Sequence, residues 1–166
     1  MPRNLYWDSC VFLSWINAIP ERIPMLETIF DEARKKDAII YTSTVSMTEV
    51  AYAAAEKDAR KLDDDVEQAI DELFGDRDVI RVVEYHELIA KEARRKIRQA
   101  ITNGWSLKPV DAIHLATATR VNADELQTYD EPLLKYKGVM GYTIRQPVSL
   151  SPRLDLGDGG SLQRQP

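Results

Sequence analysis

Asn4-Leu5-Tyr6-Trp7-Asp8 reads as a short buried strand that ends on a carboxylate. Its two aromatics suit a strand. The acid is the unusual part, because an unpaired buried carboxylate is costly. Ser9 suits the N-cap of an apolar stretch, Cys10 to Ile19, that Pro20 ends.

Outward from this segment, helices and strands alternate. Residues 24 to 36 read as a helix with Leu26, Ile29, Phe30 and Ala33 on one face. Ala38-Ile39-Ile40-Tyr41 is a second strand. Ser46 to Lys57 is predicted as one helix, with Ser46 and Glu49 at capping-box spacing. Asp63 to Phe74 is another, opened by acids and stopped by Gly75. Val79 to Val83 is a third strand, rich in β-branched residues. Glu87 to Thr102 is a long helix closed by Asn103-Gly104, and Pro109 starts one that runs to about Val121. Leu126 to Tyr129 and Tyr142 to Arg145 complete the strands, with a helical turn over Glu131 to Tyr136 between them. This alternation predicts an α/β fold: three α/β/α layers around a mostly parallel central sheet of four or five strands. Residues 1–150 are expected to form a single domain. Residues 151–166, polar and rich in Gly, Ser and Pro, are expected to be a disordered C-terminal tail.

The bulk properties agree with a globular domain. With 44% hydrophobic and 30% charged residues, the 166-residue chain is neither generally disordered nor fibrous. The single cysteine, Cys10, excludes an internal disulfide and fits a reducing compartment. No stretch approaches the ~18 apolar residues of a membrane helix. The Asp8-bearing N-terminus does not read as a signal peptide, so the expectation is a cytoplasmic protein. The net charge of −5, from 22 Lys and Arg against 27 Asp and Glu, argues against a passive phosphate-binding surface. A cation held by clustered acids inverts that sign locally.

In an open parallel sheet, ligands sit outside the carboxyl ends of the strands. Asp8 ends the first strand and Asp130 the fourth. Glu49 is expected near the start of the helix after the second strand, and Asp111 lies in the first turn of the helix beginning at Pro109. Each acid alone has an ordinary explanation as a helix-start or turn residue, Asp8 least of all. Their conjunction from four segments is the specific signal. Oxygen-only donors without His or Cys favour Mg²⁺ or Mn²⁺ over Zn²⁺. Such a cation activates water and stabilises phosphoryl charge, which points to phosphodiester hydrolysis.

The same residues carry a family resemblance. Tyr6-Trp7-Asp8-Ser9 resembles the opening of a PIN domain, and Thr44-Val45-Ser46-Met47-Thr48-Glu49-Val50 resembles its second motif. Asp111-Ala112-Ile113-His114-Leu115-Ala116-Thr117-Ala118 is the closest match, typical of the branch that includes VapC-type toxins. Leu126-Gln127-Thr128-Tyr129-Asp130 resembles the last motif. The resemblance implies a PIN-like fold and a Mg²⁺- or Mn²⁺-dependent ribonuclease, the toxin of a toxin–antitoxin pair. It implies Asp8, Glu49, Asp111 and Asp130 as catalytic, metal-binding acids, with Ser9 and Thr128 in support. The implied partners are an RNA substrate, a cognate antitoxin and a second copy in a homodimer. The alternative is a PIN-like module that binds RNA or protein without cutting.

Other residues are weighed against these. His114, three residues after Asp111, shares roughly its helix face and is read as packing on the sheet. His86 is read as an end-of-strand polar residue. Lys91, Arg94, Arg95 and Arg98 are read as a solvated helix face with pairs such as Glu87 and Lys91. Lys108 and Arg120 flank the Asp111 helix and are the better candidates for RNA phosphates. Cys10 is read as a small buried residue: a Cys-x5-Arg phosphatase loop would need Arg where Ile16 stands. A phosphatase with Asp8 as nucleophile would want a second Asp where Cys10 stands. Trp7, Trp15 and Trp105 are read as core or interface anchors.

Overall fold

The computed structural model describes residues 1–150; the expected tail lies outside the described residues. Its five strands are β1 (Arg3–Trp7), β2 (Ala38–Ser43), β3 (Ile80–Val83), β4 (Glu125–Gln127) and β5 (Thr143–Arg145). They form one sheet in the order β3-β2-β1-β4-β5, and every neighbouring pair is parallel. β1 is the central strand: Tyr6 stands opposite Tyr41 on one side and Leu126 on the other.

Alternation along β1 builds the two cores. Leu5 and Trp7 join α1 (Ser9–Ile16), α2 (Ile23–Arg34) and α5 (Asp64–Gly75) through Val11, Phe12, Leu26, Ile29, Phe30 and Phe74. Tyr6 faces the opposite layer of α6 (Glu87–Thr102), α7 (Pro109–Arg120) and α8 (Glu131–Leu134), through Ile89, Ala93, Leu115 and Leu133. A strand covered on both faces has no polar side, which is why residues 5–7 are all fully buried. Trp7 is a core anchor, its indole N–H on Gln127 Oε1 at 2.8 Å. Trp15 packs edge-on against Phe30. Trp105 is 39% exposed and meets Tyr136. Among the described residues no helix is long and apolar enough to cross a membrane.

α6 ends as its sequence predicts. Gly104 takes φ +73°, Trp105 N–H donates to Ala100 O at 2.8 Å and Gly104 N–H to Ile101 O at 3.0 Å. This closes the helix with a left-handed glycine. The helix expected over Ser46 to Lys57 is instead two, α3 (Thr44–Glu49) and α4 (Ala54–Ala59). The cap is Ser43, whose hydroxyl accepts from Val45 N–H, not Ser46. Val50 leaves helical geometry and is fully buried. The freed backbone is satisfied elsewhere: the buried Glu56 carboxylate accepts from Ala53 N–H at 2.8 Å and Asp63 N–H at 2.7 Å. Asn17 Oδ1 accepts from Ala54 N–H. Burial of Val50 and these side-chain acceptors outweigh helix propensity, which is worth only tenths of a kcal/mol per residue.

Candidate functional site

The strand order reverses at the β1–β4 pair, because connections from β1 run one way across the sheet to β2 and β3 while β4 and β5 lie on the other side. Such a switch point opens a crevice at the carboxyl ends of the two strands. Asp8 follows directly on β1 and occupies the N-cap position of α1. It is only 3% exposed. Thr128, just past β4 and fully buried, donates its hydroxyl to Asp8 Oδ2 at 2.6 Å. Thr128 Oγ1 in turn accepts the Asp130 backbone N–H at 2.8 Å. Cys10 Sγ donates to Asp8 Oδ1 at 2.9 Å, lies 3.2 Å from Thr128 Oγ1 and accepts Tyr129 N–H at 3.2 Å. Thr128 thus ties the ends of two strands.

Burial pushes the Asp8 carboxyl above its usual range. The Cys10 and Thr128 hydrogen bonds and the charge of His114 oppose that, and the Asp130 charge adds to it. Asp111, in the first turn of α7 and half-buried, is also raised. Burial is the main cause, the charges of Asp130 and Asp8 add to it, and His114 and Lys108 counteract it. Asp130, half-buried, stands at the N-cap position of α8. Three aspartates from three segments therefore feel one another's charge.

Glu49 is held differently. It is the last residue of α3, not an early one. Its Oε2 lies 2.8 Å from His114 Nε2. Burial pushes the Glu49 carboxyl up, but the hydrogen bond and charge of His114 and the Ser9 hydroxyl prevail and hold it below the usual range. Ser9 is therefore engaged with Glu49 and is the first residue of α1; the N-cap position belongs to Asp8 and not, as expected, to Ser9. His114 is 2% exposed and its Nδ1 lies 2.8 Å from the Tyr6 hydroxyl. His114, expected only to pack on the sheet, and Cys10, expected only to be small and buried, both touch site acids. The available signal for His114 was its helical spacing from Asp111.

Lys108 sits at the N-cap position of α7 beside Asp111. Arg120 ends the same 12-residue helix, on the order of 16 Å further along at 1.5 Å per residue, and lines a separate cavity with Leu88 and Glu92. The fold thus gathers Asp8, Asp111, Asp130, Thr128 and Lys108, joins Glu49 and Ser9 through α3 and His114, and leaves Arg120 at the far end. Among the described residues, no three His, Cys, Asp or Glu side chains form a ready-made cage for a metal ion. The donors are nonetheless of the right kind. They are carboxylates whose mutual repulsion a divalent cation would relieve, and Mg²⁺ commonly keeps several waters and takes only one or two carboxylates.

A family model described as the PIN domain matches residues 5–139. No curated protein matches the chain by sequence. Solved structures share its fold at low identity. VapBC2 from Rickettsia felis, bound to a DNA fragment from its promoter, superposes with a TM-score of 0.62 at 14% identity, covering 86% of this chain and 98% of that one. DNA-bound VapBC from Salmonella typhimurium gives 0.62 at 17% identity, over 88% and 98%. VapC20 from Mycobacterium tuberculosis, a Sarcin-Ricin loop cleaving toxin, gives 0.55 at 15% identity, over 76% and 90%. With the family model spanning most of its length, the chain belongs to the PIN domain family.

Proposed function

We propose that this protein is a metal-dependent ribonuclease, and that it acts as the toxin of a toxin–antitoxin pair. The observation that supports this most is the mutual charge coupling of Asp8, Asp111 and Asp130 at the switch point of a PIN sheet. The likeness to VapC-type structures supports the pairing with an antitoxin. Asp8, Asp111 and Asp130, with Glu49 beside them, are the residues to hold Mg²⁺ or Mn²⁺. When bound, the cation supplies a positive charge that activates water and stabilises the phosphoryl group.

The chain's own residues do the rest. Thr128 and Cys10 fix the Asp8 carboxylate by a hydrogen bond to each oxygen. Thr128 also orders the backbone at Asp130. Lys108 places a cation beside Asp111 that suits an RNA phosphate. The fixed carboxylates would hold the cation in a defined place, and it is the cation that would draw in the anionic phosphodiester.

The test is cleavage of RNA by the purified protein with Mn²⁺ and with EDTA, alongside Asp8→Asn and Asp111→Asn. Cleavage that needs the metal and both acids is expected. Cleavage that survives EDTA and both substitutions overturns the reading. No cleavage together with no Mn²⁺ binding by calorimetry replaces it with a non-catalytic binding module.

A further inference from the structure

Trp105 lies in the loop between α6 and α7 and keeps 39% of its surface exposed. Its indole N–H donates to no protein group among the described residues. A tryptophan usually buries its large ring and pairs its N–H, or uses both in recognition.

The loop holds this ring in one place. Gly104 takes φ +73°, and Trp105 N–H reaches back to Ala100 O at 2.8 Å. Such a helix end favours an apolar residue at this position. Ala100 beneath it is small and already buried, so a tryptophan is larger than the motif needs. Two residues on, Leu107 is 7% exposed and pins the loop into the α6–α7 core. From beyond α8, the buried Tyr136 donates its hydroxyl to Ser106 O at 3.3 Å. Its ring meets the indole in a T-shaped contact with centroids 5.5 Å apart. A T-shaped contact leaves at least one face of the indole uncovered by Tyr136.

The loop leads directly into the acid site. Lys108, exposed, stands three residues after Trp105 and three before Asp111. Its ammonium makes no hydrogen bond or ion pair among the described residues. Its charge is felt at Asp111, and the Asp111 charge in turn reaches the Tyr136 hydroxyl. The aromatic pair, the free lysine and the carboxylate therefore share one neighbourhood.

We propose that Trp105 and Lys108 form a nucleotide subsite beside Asp111, in which the indole face stacks on an unpaired RNA base and the ammonium takes that nucleotide's phosphate. This rests on the ribonuclease reading and adds to it a preference for single-stranded substrate. Only an unpaired base offers its face to a side chain, and every base has one, so the subsite accepts single strands without reading their sequence. A loop fixed before binding spends little ordering on it.

The first test has a readout apart from cleavage. Adenosine 5′-monophosphate carries a base and a phosphate and has no phosphodiester to cut. It is titrated into the unaltered protein while the indole N–H signals are followed by NMR, that of Trp105 being the one absent from Trp105→Phe. A saturable upfield shift of the Trp105 signal is expected. Adenosine should bind more weakly, inorganic phosphate should leave the signal in place, and Lys108→Gln should bring the nucleotide down to the affinity of adenosine. No shift with the nucleotide, or equal affinity for nucleotide and nucleoside in the unaltered protein, overturns the proposal. So does a change in sedimentation in Trp105→Ala, which would make the ring a contact between copies of this chain.

The second test is Mn²⁺-dependent cleavage of a single-stranded RNA. Trp105→Ala is expected to raise KM roughly ten- to a hundredfold with kcat held within about threefold, because stacking supplies binding and not chemistry. Trp105→Phe should recover most of the loss. Lys108→Gln should also raise KM and lower its salt dependence by roughly one charge, whereas Trp105→Ala should leave the salt dependence unchanged. Ile101→Ala trims an exposed apolar neighbour on the same helix end, 69% exposed, and should cleave as the unaltered protein does. A loss in Ile101→Ala equal to that of Trp105→Ala would assign the effect to a general apolar patch and overturn the subsite. If the unaltered protein cleaves no RNA, the ribonuclease reading fails while the nucleotide titration still decides the subsite.

Discussion

Thr128 donates its hydroxyl to Asp8 across the ends of β4 and β1, at 2.6 Å, in a place where neither residue meets solvent. Charge-assisted hydrogen bonds of this kind are about twice as strong as neutral ones. Thr128→Val leaves Asp8 Oδ2 and the Asp130 N–H without this partner. The expected outcome is a loss of about 1–3 kcal/mol in denaturant unfolding and of roughly 10- to 100-fold in Mn²⁺ affinity by calorimetry. Thr128→Ser should recover most of both.

Asp8 is expected to cost stability where it is charged. The folded chain holds its proton more tightly than the unfolded chain, because burial raises its pKa from 3.8. Folding therefore takes up protons between that value and the raised one, and stability falls as pH climbs through this window. Asp8→Asn should raise Tm at pH 7 by a few degrees, the shift expected of about 1 kcal/mol in a chain of this size. The gain should vanish below the usual carboxylate range, where Asp8 is neutral in both states. A gain that persists unchanged at pH 3 would contradict this origin.

Glu49 has the opposite sign. Its folded carboxyl is held below 4.5 by His114 and Ser9. Its contribution is complete above 4.5 and lost as pH falls through the lowered value. Because the Glu49 side chain is 31% exposed, solvent screening keeps this small, under about 1 kcal/mol. Melts of Glu49→Gln and the unaltered chain should differ at pH 7 and converge toward pH 3.

Cys10 reports on Asp8 chemically. Burial, then the Asp8 charge, then the thiol's own hydrogen bond to Asp8 hold the thiol far above its ordinary range. The thiolate is the reactive form. Iodoacetamide at pH 8 should therefore modify native Cys10 far more slowly than the unfolded chain. Asp8→Asn should speed the native reaction roughly tenfold, as read by intact mass. Equal rates in the two native proteins would show that Asp8 does not govern the thiol.

A separate network secures the sheet away from the acids. Glu125, at the start of β4 and nearly buried, pairs with Arg3 at 3.3 Å and with Arg145, and accepts from Gln127 at 3.0 Å. Removing one member of a buried ion pair leaves the others uncompensated. Glu125→Ala should cost about 3 kcal/mol in denaturant unfolding and leave Mn²⁺ binding by the remaining folded protein unchanged. A matching loss of Mn²⁺ affinity would tie this network to the site.

The strand at Leu5 to Trp7 and the acid at Asp8 were legible because both signals are local: an apolar run, then a charge that has no business ending it. Asp111 was legible because Pro109 marks its helix start. The break at Val50 was not, since residues 46–57 are good helix formers, and what interrupts them is a distant burial site and the acceptors Glu56 and Asn17. Glu49 consequently moved from the beginning of its helix to the end. Arg120 and Lys108 looked equivalent in sequence because both flank α7; the length of a helix separates them.

By itself the sequence determined the alternation of helices and strands, the α/β class, and the presence of four acids in four segments. These rest on periodicity, caps and composition, which act over a few residues. Only the tertiary structure decided how the acids divide: Asp8, Asp111 and Asp130 coupled to one another, and Glu49 coupled instead to His114 and, through it, to Tyr6. His114 is 65 residues from Glu49 and 108 from Tyr6 in the chain. Hydrogen bonds over such separations form only once the sheet has brought β1, α3 and α7 together, where burial makes an unpaired polar group costly.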